Sequence, residues 1–156
     1  MKPAEYLQKY AQFFVIACED DNLFPSVKIA QAALETGWGN HIVGNNLYGI
    51  KATGQPNQYW DGSYVTAGTS EYANGGYNPQ SSNFRAYKTI SDSIRDHSLL
   101  INTLDRYKPV REATTPEDQA RALQNAGYAT DPSYAAKLIS IINSNNLKQY
   151  DIKKKS

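Results

Sequence analysis

Nine of the ten glycines fall between Gly37 and Gly76, and six of the twelve tyrosines fall between Tyr48 and Tyr87, with Trp60 and Phe84 beside them. Each interior glycine costs a helix about 1 kcal/mol relative to alanine. The middle third of the chain is therefore closed to long helices. Its Gly, Asn, Ser and Tyr content reads as loops plus short antiparallel strands.

The flanks read as helices. Tyr6, Tyr10, Phe13 and Ala17 recur at spacings of 4, 3 and 4, which makes an apolar stripe on a helix from about Pro3 to Cys18. Pro25 suits the first turn of a second helix that carries Val27, Ala30, Ala33 and Leu34 and ends at Gly37. A third helix should begin near Thr89 or Ser91, with Ile90, Ile94, His97, Ile101 and Leu104 as its stripe. Thr115-Pro116-Glu117-Asp118 combines an N-cap, a first-turn proline and acids favoured at a helix N-terminus. That helix should end near Ala126-Gly127. Asp131-Pro132 repeats the start signal for a last helix bearing Tyr134, Leu138, Ile141 and Asn145. The expected architecture is α+β: a mainly helical lobe, a small antiparallel β-lobe over about 52–88, and a groove between them. Residues 1–150 should form one domain, and the basic tail 151–156 should be disordered.

Composition excludes several function classes. Sixteen Lys and Arg against fifteen Asp and Glu leave a formal charge of +1, and three of the cations are the terminal Lys153-Lys154-Lys155. A nucleic-acid binder relying on a basic field is disfavoured. No apolar run approaches the roughly 20 residues of a membrane span. Met1 to Tyr6 lacks the apolar segment of a signal peptide, so the chain is expected to reach its substrate by another route or to be a trimmed product. Cys18 is the only cysteine, which removes disulfide and cysteine-zinc chemistry and leaves a small core residue. His41 and His97 lack metal-ligand spacing, and His97, on an apolar stripe, reads as a hydrogen-bonded core histidine. There is no phosphate loop and no nucleophile elbow. No metal, no cofactor and no nucleic-acid partner are expected, and the chain should act as a monomer.

Glu35 stands out. It closes an apolar helix just before Thr36-Gly37-Trp38-Gly39. A helix C-terminus disfavours an anion by roughly 0.3–1 kcal/mol, and burial beside Trp38 would push the same way. Both hold a carboxylic acid protonated near neutral pH, which a general acid requires. Most glycosidases use two carboxyl groups. Between Thr36 and Ser91 the chain offers only Asp61 and Glu71. Asp61-Gly62 suits a hairpin turn, so Glu71 is the preferred partner. The aromatic residues fit a sugar polymer, because pyranose C–H faces stack on rings and hydroxyls bond to Tyr and Trp tips. Tyr48, Tyr59, Trp60, Tyr64, Tyr72 and Tyr77 cannot all be core in so short a strand region, and some should line the groove.

Five segments in order match a known pattern: Ala32-Ala33-Leu34-Glu35-Thr36-Gly37-Trp38-Gly39, Asn45-Asn46-Leu47-Tyr48-Gly49-Ile50-Lys51, Phe84-Arg85-Ala86-Tyr87, Ser93-Ile94-Arg95-Asp96-His97, and Ala126-Gly127-Tyr128-Ala129-Thr130-Asp131-Pro132-Ser133-Tyr134. From about Tyr6 to Leu147 the chain resembles the endo-β-N-acetylglucosaminidases of glycoside hydrolase family 73, which include flagellar peptidoglycan hydrolases and autolysins. The resemblance implies a lysozyme-like fold and cleavage of peptidoglycan between N-acetylglucosamine and N-acetylmuramic acid at the bacterial wall, by a secreted, periplasmic or phage-delivered enzyme. It implies Glu35 as catalytic acid, Glu71 as second acid and Tyr128 as a further catalytic residue. Trp38, Asn46, Tyr48, Tyr59, Trp60 and Tyr134 are the expected substrate-binding residues. Tyr48 departs from the phenylalanine that many relatives carry. A muramidase or lytic transglycosylase on the same groove, and a non-catalytic wall-binding module, are the competing expectations.

Overall fold

The computed structural model describes residues 1–73 and 76–154, with side chains outside 69–79 and 152–154. Six α-helices and one hairpin follow in order: α1 Pro3–Ala17, α2 Pro25–Thr36, β1 Tyr64–Ala73, β2 Gly76–Arg85, α3 Ile90–Thr103, α4 Lys108–Glu112, α5 Pro116–Asn125 and α6 Tyr134–Ser144. Short 3-10 turns cover Asp105–Tyr107 and Leu147–Lys154. No helix among the described residues is long and apolar enough to cross a membrane.

Helix α2 is the central pillar. Ten of its twelve residues are buried, which marks a helix enclosed on nearly all sides. Its short residues, Ala30, Ala32 and Ala33, let α1, α5 and α6 approach closely. Pro25 opens it and Gly37, in the left-handed region at φ 59°, closes it. Thr89 and Thr115 cap α3 and α5 by accepting from the Asp92 and Asp118 amides at 3.0 and 3.1 Å, as their sequence signals require.

Several expectations need correction. On α1 the buried stripe is Tyr6, Ala11, Phe14 and Cys18, while Phe13 is 41% exposed. Opposite the polar face of Glu5, Gln8, Lys9 and Gln12 the helix is apolar over a broad arc that includes both Phe13 and Phe14, so two neighbouring stripes satisfy the same period. On α6 Ile142 is buried where Ile141 was expected. Asp131 does not cap α6. Its carboxylate folds an Asx turn onto the Ser133 amide at 2.8 Å, and Ser133 occupies the N-cap position. Asp61-Gly62 is likewise an Asx turn onto Ser63 at 2.9 Å that leads into β1, not the hairpin connection, which lies between Ala73 and Gly76. The tail expected from residue 151 begins inside the Leu147–Lys154 turn. Asp151 is buried and accepts from the Ser26 amide at 2.8 Å and the Ser26 hydroxyl at 2.5 Å. It thereby caps α2, which Phe24 at its own N-cap position cannot do.

Strands β1 and β2 pair antiparallel from Tyr64–Arg85 out to Ala73–Gly76. The base of this hairpin is tied to the helical lobe through Asp96 on α3. Its carboxylate accepts from Arg85 at 2.7 Å, Tyr87 at 2.5 Å and Asn57 at 2.8 Å. Arg85 also covers the Trp60 ring at 4.0 Å.

Candidate active site

Lys28, Gln31 and Glu35 occupy positions i, i+3 and i+7 of α2, so they share one face of an otherwise apolar helix. Gln31 and Glu35 line the same hollow, whereas Lys28 is buried. Gln31 donates to the Tyr134 hydroxyl at 3.2 Å. Lys28 bonds His97 Nδ1. Glu35 opens into the cleft beside Gly49.

Gly49 has φ +65°, and a Cβ there would overlap the Glu35 carboxylate oxygen. Only glycine allows this approach. Burial of the carboxyl by its surroundings raises its pKa above the ordinary carboxylate value. The C-terminal end of α2 acts in the same direction.

Glu35 and Gly49 stand between two hollows. One, about 330 Å³, is walled by Tyr48, Ile50, Arg106, Tyr107, Tyr128 and Tyr134. The other, about 210 Å³, runs towards the β-lobe past His41, Val43, Asn46, Ala67, Gly68 and Phe84. A carboxylic acid midway along a groove open on both sides suits an extended polymer threaded across it. A larger hollow of about 690 Å³ lies between Phe24, Arg111 and Lys148. Its Glu117 carboxyl is held low by Lys148, which is wrong for an acid that must donate a proton.

Tyr128 hydrogen-bonds His97 Nε2 at 2.8 Å and stacks on Tyr134 with centroids 5.6 Å apart. Burial, the neighbouring Tyr134 and the Glu35 charge push its pKa well up, so it stays a phenol. Tyr48 stacks flat on His97 at 3.7 Å and donates to the Lys28 carbonyl at 3.0 Å.

A family model described as mannosyl-glycoprotein endo-beta-N-acetylglucosaminidase matches residues 11–147. The chain belongs to this glucosaminidase family, glycoside hydrolase family 73. The exo-glucosaminidase LytG of Bacillus subtilis is 38% identical over 87% of the chain and 49% of its own length. The peptidoglycan hydrolase FlgJ of Salmonella typhimurium is 39% identical over 81% of the chain and 41% of its own length. The chain thus spans half or less of these curated relatives. The catalytic domain of the autolysin Auto from Listeria monocytogenes superposes with a TM-score of 0.81 and 34% identity, covering 96% of this chain and 87% of that one.

Within this glucosaminidase domain, Glu35, Tyr48, Tyr128 and Tyr134 line one hollow, and Asn46 joins Glu35 in the other. Asn46 turns its amide wholly to the backbone, donating to Ile50 and Arg85 carbonyls and accepting from the Tyr48 and Ile50 amides. It shapes the loop that carries Gly49. Three of the expected residues line neither of these hollows. Trp38 packs edge-on against Tyr6 at 5.5 Å. Tyr59 and Trp60 lie at a small hollow shared with Tyr87, Lys88 and Asp92, and the Trp60 indole donates to the Ser63 carbonyl at 2.7 Å. Asp61 is fully open to solvent, and its hydrogen bonds from Ser63 hold its carboxyl low. Glu71 pairs with Asn78 in the hairpin; its side chain, like those of Tyr72 and Tyr77, lies outside the described residues, as does Gly75. Among the described residues no cluster of His, Cys, Asp or Glu could hold a metal ion.

Lys28, Gln31, Gly49, Arg106 and Tyr107 were not anticipated. The polar stripe on α2 marks the first two. Arg106 and Tyr107 sit in a 3-10 turn between α3 and α4 with no periodic signal.

Proposed function

We propose that this domain is a peptidoglycan hydrolase that cleaves the β-1,4 bond from N-acetylglucosamine to N-acetylmuramic acid, with Glu35 as general acid. The observation that carries the reading is the Glu35 carboxyl itself: packed against Gly49, raised in pKa, and central to a two-sided groove. Glu35 protonates the leaving glycosidic oxygen as the bond breaks and positive charge grows on the sugar ring. Tyr128 and Tyr134 present a stacked aromatic wall beside that ring, and Tyr128 offers a neutral hydroxyl to the 2-acetamido group.

Glu71 is the second acid. Ala67 and Gly68, earlier on the same strand, line the hollow that holds Glu35. Position 71 lies on that strand about 10 Å further towards the hairpin tip than Gly68. A base set across a wide groove activates water and inverts the anomeric centre. The domain acts at the bacterial cell wall.

Digestion of purified peptidoglycan followed by mass spectrometry tests the bond. Reducing-end N-acetylglucosamine supports the reading, whereas reducing-end muramic acid or 1,6-anhydro ends identify a muramidase or a transglycosylase. Proton NMR of the first-formed anomer tests the mechanism, and a retained configuration would replace Glu71 by the substrate's own acetamido group.

A further inference from the structure

Lys28 is 2% exposed, deep in the central helix. Its ammonium contacts His97 Nδ1, lies 3.3 Å from the Ile94 carbonyl and sits 4.5 Å from the Tyr48 ring centroid. An ammonium can only donate. His97 Nδ1 is therefore the acceptor, and the single proton of the neutral ring sits on Nε2. That N–H points at the Tyr128 oxygen, 2.8 Å away. With its lone pair so engaged, the Tyr128 hydroxyl has its own proton free for the hollow it shares with Glu35. The flat stack of Tyr48 on His97, with Tyr48 tied to the Lys28 carbonyl, holds the plane of the imidazole.

Stability does not explain the lysine. Taking an ammonium out of water costs free energy, and a neutral side chain of similar length would fill the space without that cost.

We propose that Lys28 and His97 are positioning residues whose hydrogen-bond chain fixes the Tyr128 hydroxyl as a donor into the groove; this rests on the reading of Tyr128 as a residue of the site.

The chain has a second setting. If one proton leaves from the Tyr128 hydroxyl to the groove, the Nε2 proton passes to the Tyr128 oxygen and a Lys28 proton passes to Nδ1. Tyr128 and His97 end neutral, Lys28 ends as an amine, and the Tyr128 hydroxyl now points inward at Nε2. Burial lowers the Lys28 pKa to about 7, against the opposing pull of Cys18 on α1, Asp21 in the following loop and Asp96 on α3. Burial and Lys28 hold His97 well below its ordinary value. Tyr128 faces Glu35, Tyr107 and Tyr134 and remains a phenol. The donor setting is therefore the acidic one and is lost as pH rises through neutrality.

Nitrogen NMR of the wild-type chain reads the tautomer directly, with His97→Gln for assignment. At about pH 6 the proton belongs on Nε2; an Nδ1–H tautomer there overturns the proposal without any mutant having to fold. Turnover on solubilised glycan strands supplies the second readout. Lys28→Met should lower kcat about tenfold by misaligning one donor, leave KM nearly unchanged and remove the Lys28 contribution to the alkaline limb, leaving the limb set by Glu35. In a Tyr128→Phe background the same change should cost nothing further. Independent, multiplying losses, or an unaltered kcat and limb, overturn the proposal. A fully active Tyr128→Phe would instead remove Tyr128 from the site, a separate failure.

Discussion

Gly49 brings its bare Cα against the Glu35 carboxylate, so the acid and the loop from Asn45 to Lys51 meet where no side chain can stand between them. Gly49→Ala should therefore strike activity before stability. The added methyl must displace Glu35 and also force a non-glycine residue to φ +65°, a strain of roughly 1–2 kcal/mol. Turnover should fall at least tenfold, with a modest drop in melting temperature. A Gly49→Ala enzyme with wild-type turnover would show that Glu35 works from another position.

Glu35→Gln keeps shape and removes the titrating proton. Cell-wall hydrolysis should fall by at least ~100-fold, the scale of general acid catalysis. Stability should move the other way. The native carboxyl is raised above its unfolded value of 4.5, so between the two the native state holds a proton the unfolded state has lost. Wild-type stability thus declines as pH rises through that window, and the Gln variant, which does not titrate, should gain on it. Paired melting curves at acid and neutral pH check the sign.

Tyr128→Phe removes one hydroxyl at the groove and should cost activity with little loss of fold. Tyr134→Ala empties a site whose ring is 8% exposed and should cost about 3–5 kcal/mol, as deletion of a buried aromatic ring does. Denaturant titrations of both variants beside their hydrolysis rates separate the roles. Full activity in Tyr128→Phe with a lowered melting temperature would make Tyr128 a packing residue.

Asp96 gathers Arg85, Tyr87 and Asn57 from the β-lobe onto α3. Asp96→Ala leaves a buried guanidinium without its anion and should cost about 3–5 kcal/mol. Amide exchange should rise first in β1 and β2, whose attachment to the helices depends on this carboxylate. Uniform loosening of the whole chain would contradict the anchor.

Glu71→Gln should slow turnover, while Asp61→Asn, which touches only an exposed Asx turn, should not. Damage from Asp61→Asn alone would transfer the second acid to Asp61.

Much of this was legible in the chain. Caps at Thr89 and Thr115, Pro25 and Gly37 bounded their helices because each acts through its own backbone neighbours. The glycine-rich middle pointed to a β-lobe. The stripe on α1 misled because Phe13 and Phe14 are chemically equal and only the partner surface chooses between them. Trp60 looked like a sugar platform; its role is set by Arg85, 25 positions away in sequence, which covers its face. The spacing of Lys28, Gln31 and Glu35 was present all along. A lysine in an apolar helix is ordinarily a residue at its rim, and only the surrounding elements reveal that this one lies at the centre.

Asp151 has a consequence for how the molecule is made. Ser26 and its cap are separated by 125 positions. A ribosome delivers the helix that bears Glu35 well before the carboxylate that closes its first turn. Until then the amides at the head of α2 lack their acceptor, a deficit of about 1 kcal/mol for a missing cap. A nascent chain halted short of Asp151 carries Glu35 on a helix whose first turn is not yet capped, so α2 is completed only once residue 151 has been made.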